Sequence, residues 1–145
     1  MSLQLPQGGL LINGFKPQVN TAAIEGDWIS CKTVHKAFVV FHMAQGHAAQ
    51  AVLSVYKATT VAGAGAIAVA ATMPIWYNLD CDTDIFTRAT DAATYTLDVG
   101  LKVKLVVFQV DPSILGAFDC IKGYVAASNI LNIVGCTYVL SLIHI

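Results

Sequence analysis

The sequence predicts an all-β fold, an antiparallel sandwich or a barrel with an extended N-terminal arm. Short runs rich in Val, Ile, Phe, Tyr and Thr recur between Gly, Pro, Asn and Asp residues. Almost no segment holds a 3.6-residue apolar period over three turns. The strongest runs are apolar on both faces. In residues 103 to 110 one face carries Val103, Leu105 and Val107, and the other Val106, Phe108 and Val110. One face lines a core, and the other needs cover too.

Residues 1 to 26 read as the arm, punctuated by Pro6, Gly8, Gly9, Gly14 and Pro17, with GLLIN (9 to 13) as a weak strand candidate. Its apolar Leu10, Leu11, Ile12 and Phe15 have no core of their own there, which suits a segment lying along a neighbouring subunit. The single sandwich domain then runs from 27 to 145. DWISC (27 to 31) is a weak strand, and HKAFVVFHM (35 to 43) and AVLSVYK (51 to 57) are strong ones, read as a hairpin joined by QGHAAQ. AIAVAA (66 to 71), PIWYNL (74 to 79) and TYTLD (94 to 98) are weaker, and IFTRATDAA (85 to 93) suits a short helical turn. KVKLVVFQV (102 to 110) ends at Asp111 and Pro112, because proline has no amide to donate. FDCIKGYVAA (118 to 127) and CTYVLSLIHI (136 to 145) complete the series.

A chain of 145 residues is expected to form one domain. Its composition is 56% hydrophobic and 12% charged, against about 25% charged in average soluble chains. Such a chain is expected to cover its surface with copies of itself, with a partner or with lipid. Lipid is disfavoured. Residues 58 to 79 and 123 to 143 lack Asp, Glu, Lys and Arg, but the first contains Pro74 and the second Ser128, Asn129, Asn132 and Ser141. The N-terminus lacks the basic region and continuous apolar core of a signal peptide. A formal net charge of −1 offers nothing to hold phosphate backbones, so direct nucleic-acid binding is not expected. Cys31, Cys81, Cys120 and Cys136 show no C-x-x-C spacing and read as free thiols.

Two motifs invite a functional reading. Val61, Gly63, Gly65 and Ala68 in VAGAGAIAVAA can be written as a dinucleotide fingerprint, but the following residues are β-branched and run into Pro74, where a helix would be required. A Gly-rich turn followed by a strand of small residues is the expectation, without a cofactor. DCDTDIFTRATD (80 to 91) places Asp80, Asp82, Asp84 and Asp91 at calcium-loop positions, yet Ile85 stands where glycine is needed. A solvated loop is expected, with no metal. His35 and His42 are expected on opposite strand faces, Cys120 reads as structural, and no hydrolase motif is present, so no enzymatic activity is expected. Trp28, Trp76, Tyr77 and Phe86 are candidates for core or contact positions.

The runs TTVAGAGAIAVA (59 to 70), FDCIKGYVAA (118 to 127) and YVLSLI (138 to 143), in this order, resemble small tailed-phage virion proteins of the capsid decoration, or cement, type. Ala117 departs from the glycine associated with the second run. The resemblance covers about residues 33 to 143. It implies a jelly-roll-like β-sandwich, assembled as a homodimer or homotrimer, that binds the outside of the phage head over junctions between major capsid protein subunits. The protein would be made in the host cytoplasm and reside on the virion. The arm residues, the four aromatics named above, and Ile143 and Ile145 at the apolar end are the expected interface. A tail or spike component and a small ligand-binding β-barrel, possibly for sugar, are the alternatives.

Overall fold

The computed structural model describes residues 9–142. Its strands, in chain order, are β1 (Gly9–Val19), β2 (Ile24–Glu25), β3 (Ile29–Ser30), β4 (Val34–Gln45), β5 (Val52–Ala58), β6 (Ile67–Ala68), β7 (Ile75–Asn78), β8 (Thr87–Arg88), β9 (Thr94–Thr96), β10 (Val103–Val110), β11 (Cys120–Val125) and β12 (Asn132–Leu142). A 3₁₀ turn at Pro112–Leu115 follows β10, capped by the Asp111 carboxylate, which accepts the Ser113 amide at 3.0 Å. Among the described residues no helix is long and apolar enough to cross a membrane.

The strands form an antiparallel β-sandwich. Sheet 1 has the order β1-β12-β4-β10-β7-β8, and sheet 2 the order β2-β11-β5-β6, with β3 also on β11 and β9 also on β5. Successive long strands change sheets, from β4 to β5 to β7 and again from β10 to β11 to β12, a jelly-roll-like alternation.

Alternation along each strand explains the layer. On β4, Ala37, Val39, Phe41 and Met43 are buried, and on β10 Val106, Phe108 and Val110 are buried. From sheet 2 they meet Leu53, Val55, Ile121 and Val125. Full burial of each large apolar side chain contributes about 1.5–3 kcal/mol, so this layer is the main favourable term. Phe41 and Phe108 meet edge to face at 5.7 Å, a geometry that the ring quadrupoles prefer.

Three expectations need correction. β4 and β5 are not a hairpin, because they lie in different sheets. Asn132 holds the crossing: its Oδ1 accepts the amides of Gly46 and His47 at 3.1 and 3.0 Å, and its Nδ2 donates to Ala49 O at 3.1 Å. Residues 85 to 93 form no helical turn. Thr87 and Arg88 extend sheet 1 by pairing with Tyr77 and Trp76, and the Arg88 guanidinium lies 4.7 Å from the Trp76 ring centroid.

The third correction concerns the arm. Residues 9 to 19 pair with β12 from Gly9↔Ser141 to Val19↔Ile133, and Ile24 and Glu25 pair with β11. Phe15 is buried and Ile12 packs on the chain's own core, whereas Leu10 and Leu11 stay exposed, and the strand pairing carries the fold across residue 26.

Candidate interaction surface

The outward side of sheet 1 is built by the residues that alternate with the core. Register places Val139, Phe38 and Gln109 in one row across β12, β4 and β10, with Leu11 of β1 beside Val139. The next row is Thr137, Val40, Val107 and Trp76, and the one after it Gly135, His42 and Leu105. Ile133, Ala44 and Val103 form the last. At strand and row spacings of ~4.8 and ~7 Å, the positions of this field cover on the order of 450 Å². It is mostly apolar, and patches of that size on soluble monomers are often functional.

The field continues onto two loops at the end of β4. Val99, Leu101, Ile130 and Leu131 are 58–60% exposed. Both loops are fixed. The Gln45 amide donates to Lys102 O at 3.2 Å and the Gln45 side chain to Asp98 O at 2.9 Å. Lys104, fully buried, donates from Nζ to Gln45 Oε1 at 2.6 Å and pairs with the Asp98 carboxylate. On the other loop, a Cβ at Gly46 would collide with the Leu131 carbonyl, so the chains touch closely there. Apolar side chains held in place on anchored loops lose little conformational entropy when a partner covers them.

Sheet 2 is different outside, because it supplies much of its own cover. Lys122 is buried with its ammonium 4.6 Å from the Trp28 ring and 5.7 Å from the Tyr56 ring, and 3.3 Å from Glu25 Oε1. Tyr56 and Tyr124 lie side by side at 4.8 Å. Trp28 in turn packs its indole on Gly63, which with Gly65 adopts positive φ (+86° and +68°) that side-chain-bearing residues rarely take. VAGAGAIA is therefore a turn leading into β6, and the helix N-terminus that would face a pyrophosphate is absent.

The residues expected at an interface fall in several places. Leu11 lies at the margin of the outward field, 57% exposed. Leu10 pairs with buried Leu140 and is partly open, and Ile12 packs on the core. Phe15 is a correction: at 6% exposure it is part of the core, opposite Cys136, and offers nothing to a partner. Trp28 covers sheet 2, Trp76 lies in the outward field under Arg88, and Tyr77 stacks on Tyr95 at 5.5 Å. Phe86 is exposed on the loop before β8. Ile143 and Ile145 lie outside the described residues. Phe38, Val40 and Val139 also lie in the outward field, a placement that the two-sided apolar character of their strands signals.

The remaining candidate groups are occupied locally. Asp80 Oδ1 accepts the Asp82 amide at 3.1 Å, and the Thr83 amide donates to Asp80 O at 3.0 Å. Among the described residues no three His, Cys, Asp or Glu side chains converge as metal ligands. All four cysteines are free thiols. Burial pushes Cys31 up to about 12, helped by Cys120 and Asp119, and burial with the Asp119 hydrogen bond pushes Cys120 up to about 11. Both are poor nucleophiles at neutral pH.

No family model matches the chain, and no curated protein matches it. Among solved structures, the SPBc2 prophage-derived protein YomS is similar in fold, with a TM-score of 0.54 and 9% identity over 91% of both chains. A carbohydrate-binding module of the glycoside hydrolase family 9 protein Cel9A from Ruminococcus flavefaciens FD-1 aligns with a TM-score of 0.41 and 12% identity, over 94% of this chain and 98% of the module.

Proposed function

We propose that this chain is a structural virion protein of a tailed phage, which binds the outside of the assembled head and bridges major capsid protein subunits as a homodimer or homotrimer. The observation that carries the reading is the apolar outward side of sheet 1. A face of that composition, held on a rigid sheet, suits the apolar centre of a protein–protein interface, with a polar rim around it. The resemblance of three sequence runs to decoration proteins supports the same role, and so does a sandwich fold similar to that of a prophage-derived protein.

The work of such a protein is linkage. By binding subunits only in their assembled arrangement, it shifts the equilibrium toward the closed shell without any chemical step. No catalytic group or nucleic-acid contact is required. The test is to locate affinity-tagged copies on purified particles of the encoding phage by electron microscopy. Label on heads, with heads that rupture more readily when the protein is missing, is the expected result. Label confined to tails, or particles that lack the protein, would overturn the proposal.

A further inference from the structure

A cleft of about 370 Å³ opens on the side of the molecule away from β1, lined by Tyr77, Asn78, Leu79, Asp80, Thr83, Ile85, Thr87 and Asp98. We propose that it binds a neutral polyol of pyranose type, a saccharide unit, which is a binding activity separate from the apolar face.

Three features define the ligand class. The first is the apolar part of the lining, Tyr77, Leu79 and Ile85. Tyr77 is held by its stack on Tyr95, 5.5 Å away with planes 25° apart, which joins sheet 1 to sheet 2 at this edge. A fixed aromatic ring beside aliphatic groups suits the C–H face of a sugar ring.

The second feature is a pair of carboxylates whose charges are already offset. Asp98 Oδ1 takes the buried Lys104 ammonium and, at 3.2 Å, the Gly100 amide, whereas no described protein donor reaches Asp98 Oδ2. Asp80 Oδ2 has Lys102 at 3.7 Å. With both charges offset, the cleft is poorly suited to a metal ion. Anions find no Lys or Arg in the lining, and purely apolar ligands are disfavoured by the polar rim. What remains is a neutral ligand that donates hydrogen bonds, and vicinal hydroxyls do so to carboxylate oxygens.

The third feature is positioning. Asn78 donates from Nδ2 to Thr83 O at 2.7 Å and accepts the Asp80 amide at 3.0 Å, so one buried side chain fixes both ends of the loop that carries Asp80 and Thr83. The cleft is thus largely formed before any ligand arrives.

The test is a ¹⁵N-resolved NMR titration of the full chain with D-glucose, D-galactose and N-acetyl-D-glucosamine, each to about 20 mM, far enough to saturate a ~1 mM site. Calcium chloride is titrated in a parallel sample. At least one sugar is expected to move the amides of residues 77 to 87 and of Asp98 along a saturable curve. Ile85→Glu, at a side chain 69% exposed and therefore tolerant of change, should weaken that binding tenfold or more. Tyr56→Ala on the far sheet should leave it unaltered. No saturable change with any of the three sugars, a response to calcium alone, or binding indifferent to Ile85→Glu would overturn the proposal.

Discussion

The hydroxyl of Tyr138, on β12 of sheet 1, accepts the amide of Gly123, on β11 of sheet 2, at 2.9 Å. The same hydroxyl donates to Asp27 O at 2.9 Å, so one fully buried side chain ties three segments together. A Cβ at Gly26 would collide with that hydroxyl, which explains the glycine beside Asp27. Tyr138→Phe keeps the ring and strands the Gly123 amide. The expected loss is ~1–3 kcal/mol in urea unfolding, the cost of an unsatisfied buried donor.

Lys104 and Asp98 give a second expectation. The ammonium is buried, but Asp98 is half open to water and Lys104 keeps its bond to Gln45 when the carboxylate is removed. Asp98→Ala should therefore cost roughly 1–2 kcal/mol. Lys104→Ala should cost more, because it leaves a cavity and strands Gln45 Oε1. Paired urea denaturation curves measure the order.

The thiols set an alkaline limit. Cys31 rises from its ordinary 9.0 to about 12 and Cys120 to about 11, both mainly through burial, and Tyr95 rises from 10.0 to about 12 through burial, Tyr77 and Asp98. The fold favours the protonated form of each group. Their contribution is complete below pH 9 and is lost as the pH climbs through 11 to 12, because the unfolded chain ionises first. Thermal melts between pH 8 and 11.5 should show a level midpoint up to about pH 9 and a fall beyond it. Below pH 8, thiol reagents should modify Cys81 ahead of the three buried cysteines, although burial and its Asp80, Asp82 and Asp84 neighbours raise its pKa as well.

Val40 and Val107 face each other across β4 and β10 on the outward side. The double variant Val40→Asp, Val107→Lys sets opposite charges side by side, so its stability should stay within ~1 kcal/mol of the parent. Thermal unfolding checks that the fold survives. Association through the face should be lost.

The sandwich was legible because its long strands are rich in β-branched and aromatic residues: 35 to 43, 102 to 110 and 118 to 127 overlap β4, β10 and β11. The partner of each strand was not. QGHAAQ reads as a hairpin loop, and only the side chain of Asn132, some 80 residues later, turns it into a crossing between sheets. Phe15 reads as an arm residue because its cover, Cys136, lies far along the chain. The need to cover two-sided apolar strands was readable in Val103, Leu105 and Val107. Which side faced outward required the register. The saccharide cleft was beyond reach, since β7, the following loop and Asp98 meet only in three dimensions.

If the outward side of sheet 1 is covered by protein, the purified chain associates through it. Size-exclusion chromatography with light scattering on the purified chain tests it most directly, with the Val40→Asp, Val107→Lys variant run alongside. Two or three times the 15.4 kDa chain mass is expected for the parent, and the single-chain mass for the variant. A parent that elutes as a stable 15.4 kDa monomer, or a variant that assembles as well as the parent, would contradict it.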